Sequence, residues 1–297
     1  MGLLAGPTKW ILFLSSSSDA ELRHVQDLAY GLYCLESAGV LQKDIAIYID
    51  GSDRAIAAAC LSFSSNSYQI KLSNEFFGDV ANFIGYRNLV MFISGHGSPF
   101  GIDATPPISP TKLLDALKSA TSISSAVVYL GQCFAGIFNY VGAGNRYGNG
   151  STDVIFMGAT SLHESVSSST TERIHGIDVT WVANLFLLYV FKWIINPIDI
   201  DGDGEFTVMD SYKFAGAMTN YANKCGRSIL FDELLRVREE MSLAAKELAA
   251  PTPATDTLGK QVEFDALNSK YEQLRNVHFI HQDCWILNAV PAQKISF

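Results

Sequence analysis

The sequence predicts an α/β fold: a three-layer α/β/α sandwich with a mainly parallel central sheet and a helical C-terminal extension. Short apolar runs alternate with amphipathic helical patterns over residues 1–195, which is typical of a parallel sheet covered by helices on both faces. Over residues 196–297 the pattern is helical apart from an acidic loop and a final apolar run. We therefore expect a core domain over 1–195 and, over 196–297, an extension that packs on the core and ends in a short strand.

Five apolar runs are the predicted strands of the sheet. Each is rich in residues that favour strands, and each is followed by a polar or glycine-containing segment. In chain order they are 10–15 (WILFLS), 44–50 (DIAIYID), 89–94 (LVMFIS), 126–130 (AVVYL) and 153–157 (DVIFM).

Helical patterns fill the intervals between the strands. The first helix is expected to begin at Ser18, which lies three residues before Glu21 in the spacing of a capping box. A second helix is predicted over 74–84, and Ser109 followed by a proline predicts the start of a third. The apolar run 179–195 is shorter than the roughly 20 residues that a membrane helix needs, so we interpret it as a buried helix.

The composition is that of a folded, acidic protein. Of 297 residues, 48% are hydrophobic and 17% are charged, which excludes a disordered chain. Thirty acidic residues against 21 basic ones give a net charge of −9, which argues against nucleic acid or an anionic membrane as a partner. The five cysteines have no compact spacing, and no apolar run suits a signal peptide. We therefore expect a cytoplasmic protein without a disulfide framework.

Two of the predicted strands end in unusual segments. The third strand is followed by His96 within the sequence SGHGS, and the fourth by Cys133 within GQCFAG. Both segments contain glycines, which allow other backbone to approach closely. Because neighbouring parallel strands end at the same edge of a sheet, we expect His96 and Cys133 to face one crevice.

A cysteine beside a histidine has the chemistry of a nucleophilic catalyst. A thiolate attacks carbonyl carbon, and an imidazole can take up the thiol proton and pass it to a departing amine. We therefore predict that Cys133 is the nucleophile and His96 the general acid and base. The main-chain N–H groups of Gly97 and Cys133 are the expected donors to the oxyanion. A lone buried cysteine is more often a small apolar side chain, and it is the pairing with His96 that favours catalysis.

These motifs resemble those of a known family. FISGHGS followed by YLGQCFAG is similar to the strand ends of the caspase-like and legumain-like cysteine peptidases. The resemblance covers roughly residues 8–195 and implies a cysteine endopeptidase that acts on protein or peptide substrates through a thioester acyl-enzyme. Whether an activating or inhibitory protein partner acts on it stays open. Two alternatives stay open: a catalytically silent binding or regulatory module, and a legumain-like transamidase.

The same resemblance suggests residues of the substrate pocket. The segment GATSLHES, which ends at Ser165, looks like the legumain segment that borders the pocket for the residue before the scissile bond. Asp178 follows roughly where legumain has a pocket aspartate. The alternative is that Asp178 caps the following helix. Phe134 and Gly131 stand where relatives carry acidic residues, and Val166 stands where legumain has a serine. The preferred substrate residue therefore stays open.

An acidic loop in the extension matches a calcium-binding loop. DIDGDGEFTVMD places acids at loop positions 1, 3, 5 and 12 and glycine at position 6, and the seventh residue would offer its carbonyl. The residues expected to bind a structural Ca²⁺ are Asp199, Asp201, Asp203, Glu205 and Asp210. The alternative is an acidic turn in which Thr207 and Asp210 cap a helix.

Overall fold

The fold is described from a computed structural model, which describes residues 2–144, 152–251, 253–279 and 282–297. The strands are β1 (Thr8–Leu14), β2 (Ile45–Ile49), β3 (Ile70–Lys71), β4 (Asn88–Ile93), β5 (Gly97–Ser98), β6 (Gly101–Ile102), β7 (Ser125–Leu130), β8 (Asp153–Gly158), β9 (Ser167–Ile174), β10 (Ile177–Asn184) and β11 (Trp285–Leu287). The helices are α1 (Leu22–Ser37), α2 (Arg54–Leu61), α3 (Phe76–Asp79), α4 (Pro110–Ser119), α5 (Leu185–Ile195), α6 (Val208–Ala249), α7 (Ala254–Phe279) and α8 (Ala289–Ala292).

Seven strands form the central sheet in the order β11-β8-β7-β4-β1-β2-β3. All neighbours are parallel except β11, which pairs antiparallel with β8 at one edge. The chain builds β2 and β3 on one side of β1, then returns to build β4, β7 and β8 on the other. The order therefore reverses between β1 and β4, and such a switch point leaves a crevice at the carboxyl ends of the strands.

Helices cover both faces of the sheet. On one face, Leu89 and Met91 of β4 are buried in the same apolar cluster as Leu113 of α4. On the other face, Phe92 packs against Phe191 of α5 with ring centroids 4.8 Å apart. Alternate residues of β4 thus face opposite layers, which explains why the strand is apolar along almost its whole length. The predicted mainly parallel sheet within an α/β fold is confirmed.

Two predicted helices differ from those in the structure. The first helix begins at Leu22 rather than after Ser18, and its N-cap, Glu21, makes no side-chain capping bond. The serines before it are engaged elsewhere, since the Ser17 N–H donates to Asp103 (3.0 Å). The predicted helix over 74–84 is reduced to the single turn of α3, flanked by 3-10 turns.

The apolar run 179–195 is a strand and a helix rather than one buried helix. Strands β9 and β10 form an antiparallel hairpin outside the central sheet, and α5 begins only after it. The break falls at Asn184, whose side-chain oxygen accepts the Leu187 N–H (3.0 Å) as an N-cap. The strand before the break, IDVTWVAN, contains isoleucine, valine, threonine and tryptophan, which favour strands.

The chain divides into two compact units, Met1–Thr219 with Gln282–Phe297 and Asn220–His281. This division differs from the boundary expected at 195, because the acidic loop and the C-terminal strand β11 both belong to the α/β unit. The second unit is helical and contains an ion pair between Glu233 and Lys270 (2.8 Å). In the described part of the chain, no helix is both long and apolar enough to cross a membrane.

Candidate active site

The structure brings His96 and Cys133 to the same edge of the sheet. Ile93 of β4 pairs with Leu130 of β7, and His96 and Cys133 each lie three residues beyond this pair. The two loops are in backbone contact, because a Cβ added to Gly97 would lie only 2.1 Å from the carbonyl oxygen of Cys133. Both side chains are partly exposed. Both residues therefore lie beyond the carboxyl ends of the neighbouring parallel strands β4 and β7.

A carboxylate that the sequence analysis did not assign to this site contacts His96. Nε2 of His96 is 2.7 Å from Oε1 of Glu21, which leaves Nδ1 as the ring nitrogen available for chemistry. The second oxygen of Glu21 accepts a hydrogen bond from Arg23 (2.6 Å). Arg23 first, and His96 second, lower the pKa of Glu21 to about 2. Glu21 therefore stays ionised and orients the imidazole. The capping-box spacing had assigned this residue to a helix cap instead.

The two predicted oxyanion donors are free of main-chain partners. In the described residues, the Cys133 N–H has no hydrogen-bond acceptor. The Asp103 N–H donates to the His96 carbonyl (3.0 Å). Gly97 and Ile102 are therefore a non-hydrogen-bonded pair in the antiparallel β5–β6 ladder. The Gly97 N–H is therefore not used in the ladder. Both donors are available to a substrate oxygen.

Ser165 lies against the sulfur of Cys133. Its main-chain N–H donates to Sγ (3.3 Å), and its hydroxyl oxygen accepts from Asn184 (3.1 Å) and Gln282 (3.0 Å). Asn184 also donates to the Gly131 carbonyl (2.6 Å), two residues before the cysteine. The segment that resembles a pocket wall is thus fixed beside the candidate nucleophile. Asn184 and Gln282 are far from it in sequence, and no motif pointed to either.

The structure does not bring Asp178 to this group. Asp178 is exposed on β10, paired with Arg173 near the turn of the hairpin. It lies six residues before Asn184, which corresponds to about 20 Å along an extended strand. Asp178 also does not cap a helix, because it lies within a strand.

The environment of Cys133 differs from that of other cysteines in the chain. All five thiols are free. Burial raises the pKa of Cys34 and Cys60, and it raises the pKa of Cys284 to about 12. These thiols are therefore poorly ionised at neutral pH. Cys225 is exposed on α6. Cys133 is the thiol that combines partial exposure with a histidine on the neighbouring strand end.

Three acids of the predicted calcium loop lie together. Carboxylate oxygens of Asp199, Asp201 and Asp203 are all within 4.8 Å of one another. An all-oxygen set of this kind suits a hard cation such as Ca²⁺. Gly204, at loop position 6, has a φ of +88°, as the sharp turn requires. In this structure the Lys213 ammonium contacts Asp201 (2.7 Å).

The other two predicted ligands lie differently. Asp210 is fully buried, and its two oxygens accept the N–H groups of Ile200 (3.0 Å) and Thr207 (2.9 Å) and the Thr207 hydroxyl (2.7 Å). These are the contacts of the alternative helix cap, and Asp210 is not part of the acidic cluster among the described residues. Burial alone would raise the pKa of Asp210, but the hydrogen bonds from Thr207 and Ile200 outweigh it and lower that pKa. The Glu205 side chain is exposed.

Two comparisons with known proteins find no match. A scan against protein-family models finds no match to this chain, and a search of curated proteins finds none either. The geometry of the site is therefore the basis for assigning a function.

Proposed function

We propose that this protein is a cysteine endopeptidase that hydrolyses protein or peptide substrates, similar in mechanism to the caspase-like and legumain-like peptidases that its motifs resemble. The observation that carries the proposal is the convergence of His96 and Cys133 beyond paired strands, with the Gly97 backbone against the Cys133 carbonyl. Free N–H groups at Gly97 and Cys133 add support, because acyl transfer needs donors where negative charge develops.

The proposed cycle uses a covalent intermediate. His96 takes the thiol proton at Nδ1, and Sγ of Cys133 forms a bond to the carbonyl carbon of the substrate. The C–N bond then breaks as the imidazolium returns its proton to the departing amine, leaving a thioester. Water, deprotonated by His96, attacks the thioester carbon. The C–S bond then breaks, the carboxyl product leaves, and the imidazolium returns its proton to sulfur to regenerate the thiol.

Glu21 and Ser165 are the proposed supporting residues. Glu21 stabilises the imidazolium through its contact with Nε2, which leaves Nδ1 for the proton transfer. Ser165 borders the pocket for the residue before the scissile bond, since its N–H contacts the attacking sulfur. A free nucleophilic thiol is best maintained in a reducing compartment, which agrees with five unpaired cysteines.

We also propose that the acidic loop binds Ca²⁺ in a structural role. Asp199, Asp201 and Asp203 are the residues that would hold the ion, since their oxygens are already close together. Lys213 would have to release Asp201. The ion would neutralise the repulsion among three carboxylates and would take no part in the peptidase chemistry.

A positional-scanning peptide library tests the peptidase proposal and determines the preferred residue. Wild-type protein should cleave a subset of the library, Cys133→Ala should lose at least about 10³-fold in rate, and thermal unfolding should be unchanged. Cys225→Ala is the matched control, because it removes an exposed thiol elsewhere in the chain, and it should retain full activity.

Three outcomes would contradict the proposal. Cleavage that persists in Cys133→Ala would reject this cysteine as the nucleophile. A complete lack of cleavage and of labelling by peptidyl electrophiles would favour a silent binding module. Products joined to an added amine, in place of hydrolysed ones, would favour a transamidase.

A further inference from the structure

His24 is a buried histidine with an unused ring nitrogen, and it lies beside the proposed active site. Its side chain is 6% exposed, and Nε2 has no hydrogen-bond partner among the described residues. The ring packs edge-on against His96, with centroids 5.0 Å apart and planes at 85°. A buried nitrogen without a partner is costly, so its retention requires an explanation.

Three metal-ligating side chains converge here. Glu21, His24 and His96 each offer one ligand atom, and these atoms all lie within 4.8 Å of one another. We propose that Glu21, His24 and His96 form a binding site for a divalent transition metal ion, with Zn²⁺ the ion that fits best. Two imidazoles and a carboxylate are a donor set that Zn²⁺ accepts, and a water or other exchangeable ligand can complete four-coordination.

The surroundings of His24 prepare Nε2 as a ligand. The hydroxyl of Ser94 donates to Asp27 (3.0 Å), so the same oxygen accepts a hydrogen bond from Nδ1 of His24 (3.2 Å). With the proton on Nδ1, the lone pair is on Nε2. Asp27 is itself held by the Trp181 indole N–H (2.9 Å). Histidine ligands of metals are typically fixed by such a second layer of hydrogen bonds.

Glu21 and His96 can adapt to a metal ion at little cost. Their side chains are 49% and 45% exposed, and their contact atoms are 2.7 Å apart. Ligand atoms around a tetrahedral Zn²⁺ are about 3.3 Å apart, given metal–ligand distances near 2.0–2.1 Å. Glu21 and His96 therefore need only move slightly apart from each other and approach Nε2 of the buried His24.

Metal binding would have a regulatory consequence, which rests on the proposed peptidase function. An ion on Nε2 of His96 would displace the Glu21 hydrogen bond. The imidazole could then no longer carry protons on both nitrogens, and the general acid would be lost. The site would thus act as a reversible inhibitory switch.

The binding test uses the entire 297-residue chain and does not require activity. Zn²⁺ is titrated calorimetrically into wild type and Cys133→Ala, with excess Ca²⁺ present to occupy the acidic loop. Co²⁺ is titrated in parallel, because its visible absorption reports the coordination geometry. One ion should bind per chain in both proteins. Glu21→Gln and His24→Ala should each weaken binding at least about 10-fold. His175→Asn, which alters an exposed histidine on the β9–β10 hairpin, is the control and should bind normally.

Three results would overturn the metal site. The first is no stoichiometric binding, and the second is unchanged binding in Glu21→Gln, whose half-exposed side chain makes the variant informative even if His24→Ala does not fold. Loss of binding in Cys133→Ala would also overturn it, since sulfur would then be a ligand. If the protein cleaves no peptide, the binding results stand alone, and only the inhibitory consequence falls.

Discussion

The candidate active site together with the adjoining His24, which we call the edge site, differs from the acidic loop in whether its polar groups have partners in the protein. At the edge site, the N–H groups of Gly97 and Cys133 and the Nε2 of His24 have no partner among the described residues. In the acidic loop, Asp199 accepts the N–H groups of Gly202 (2.6 Å) and Gly204 (2.8 Å), and Asp201 pairs with Lys213.

This difference predicts that the two sites gain different amounts of stabilisation when a ligand binds. Groups that fold without partners lower stability and are retained where a substrate or ion supplies the missing contact. Carboxylates that already have partners can form their loop alone, so an added cation must compete with those contacts. We therefore expect ligand effects to be large at the edge site and modest at the acidic loop.

Among the variants that compare the two regions, Gly97→Ala has the largest expected effect. The added Cβ would collide with the backbone of Cys133, and backbone cannot rotate away as a side chain can. A displacement of about 1 Å at the reacting groups should lower kcat/KM roughly 100-fold. Gly78→Ala is the control, because nothing lies within 4 Å of its added Cβ. Full activity in Gly97→Ala would show that the two loops need not be in contact.

Asp210→Asn should destabilise the protein by about 1.5–3 kcal/mol at pH 7, because a buried charged acceptor of three hydrogen bonds is lost. The pKa of Asp210 is lowered in the folded protein, so its contribution is complete above the ordinary value and is lost as the pH falls. The difference from wild type should therefore shrink below about pH 4. Urea unfolding at a series of pH values measures it. The exposed Asp115→Asn is the control, and an equal effect there would contradict the prediction.

Glu21→Gln should lower kcat/KM by about 10-fold, since the imidazolium loses a charged partner but keeps a hydrogen-bond acceptor. The pKa of Glu21 is lowered to about 2, so the carboxylate is ionised at neutral pH and protonates only in strong acid. Steady-state assays of both proteins at pH 7 measure this ratio. An unchanged kcat/KM in Glu21→Gln would contradict the role of the carboxylate charge.

The smallest expected effect concerns calcium. Millimolar Ca²⁺ should raise the melting temperature of wild type, and Lys213→Gln, which removes the competing ammonium from Asp201, should increase that shift. The double variant Asp199→Asn with Asp201→Asn should show no shift. An equal shift in all three proteins would place the ion elsewhere or reject the loop as its site.

Much of the fold could be predicted from the sequence because the central strands are buried on both faces. Their apolar runs are unambiguous, and β2, β4, β7 and β8 lie where the pattern indicates. The β9–β10 hairpin could not be predicted, since an apolar stretch continues from it into α5 without a periodic break. Only the capping bond of Asn184 divides the two.

The candidate site could be predicted in part. His96 and Cys133 are recognisable because each follows an apolar strand in a glycine-containing segment. Glu21 could not be assigned, because its spacing from Ser18 equally suits a helix cap, and the competing contact with His96 spans 75 residues. The resemblance suggests Asp178 from its position in the sequence, but the extended strand β10 separates it from Asn184 by about 20 Å.

The most direct test of the central claim is covalent labelling by a peptidyl electrophile, followed by mass spectrometry of the intact chain and of its peptides. We predict one adduct per chain, located on Cys133, with the labelling rate lowered at least about 100-fold in His96→Ala. Labelling of Cys133 at the same rate in His96→Ala, or preferential labelling of the exposed Cys225, would contradict a functional Cys133–His96 pair.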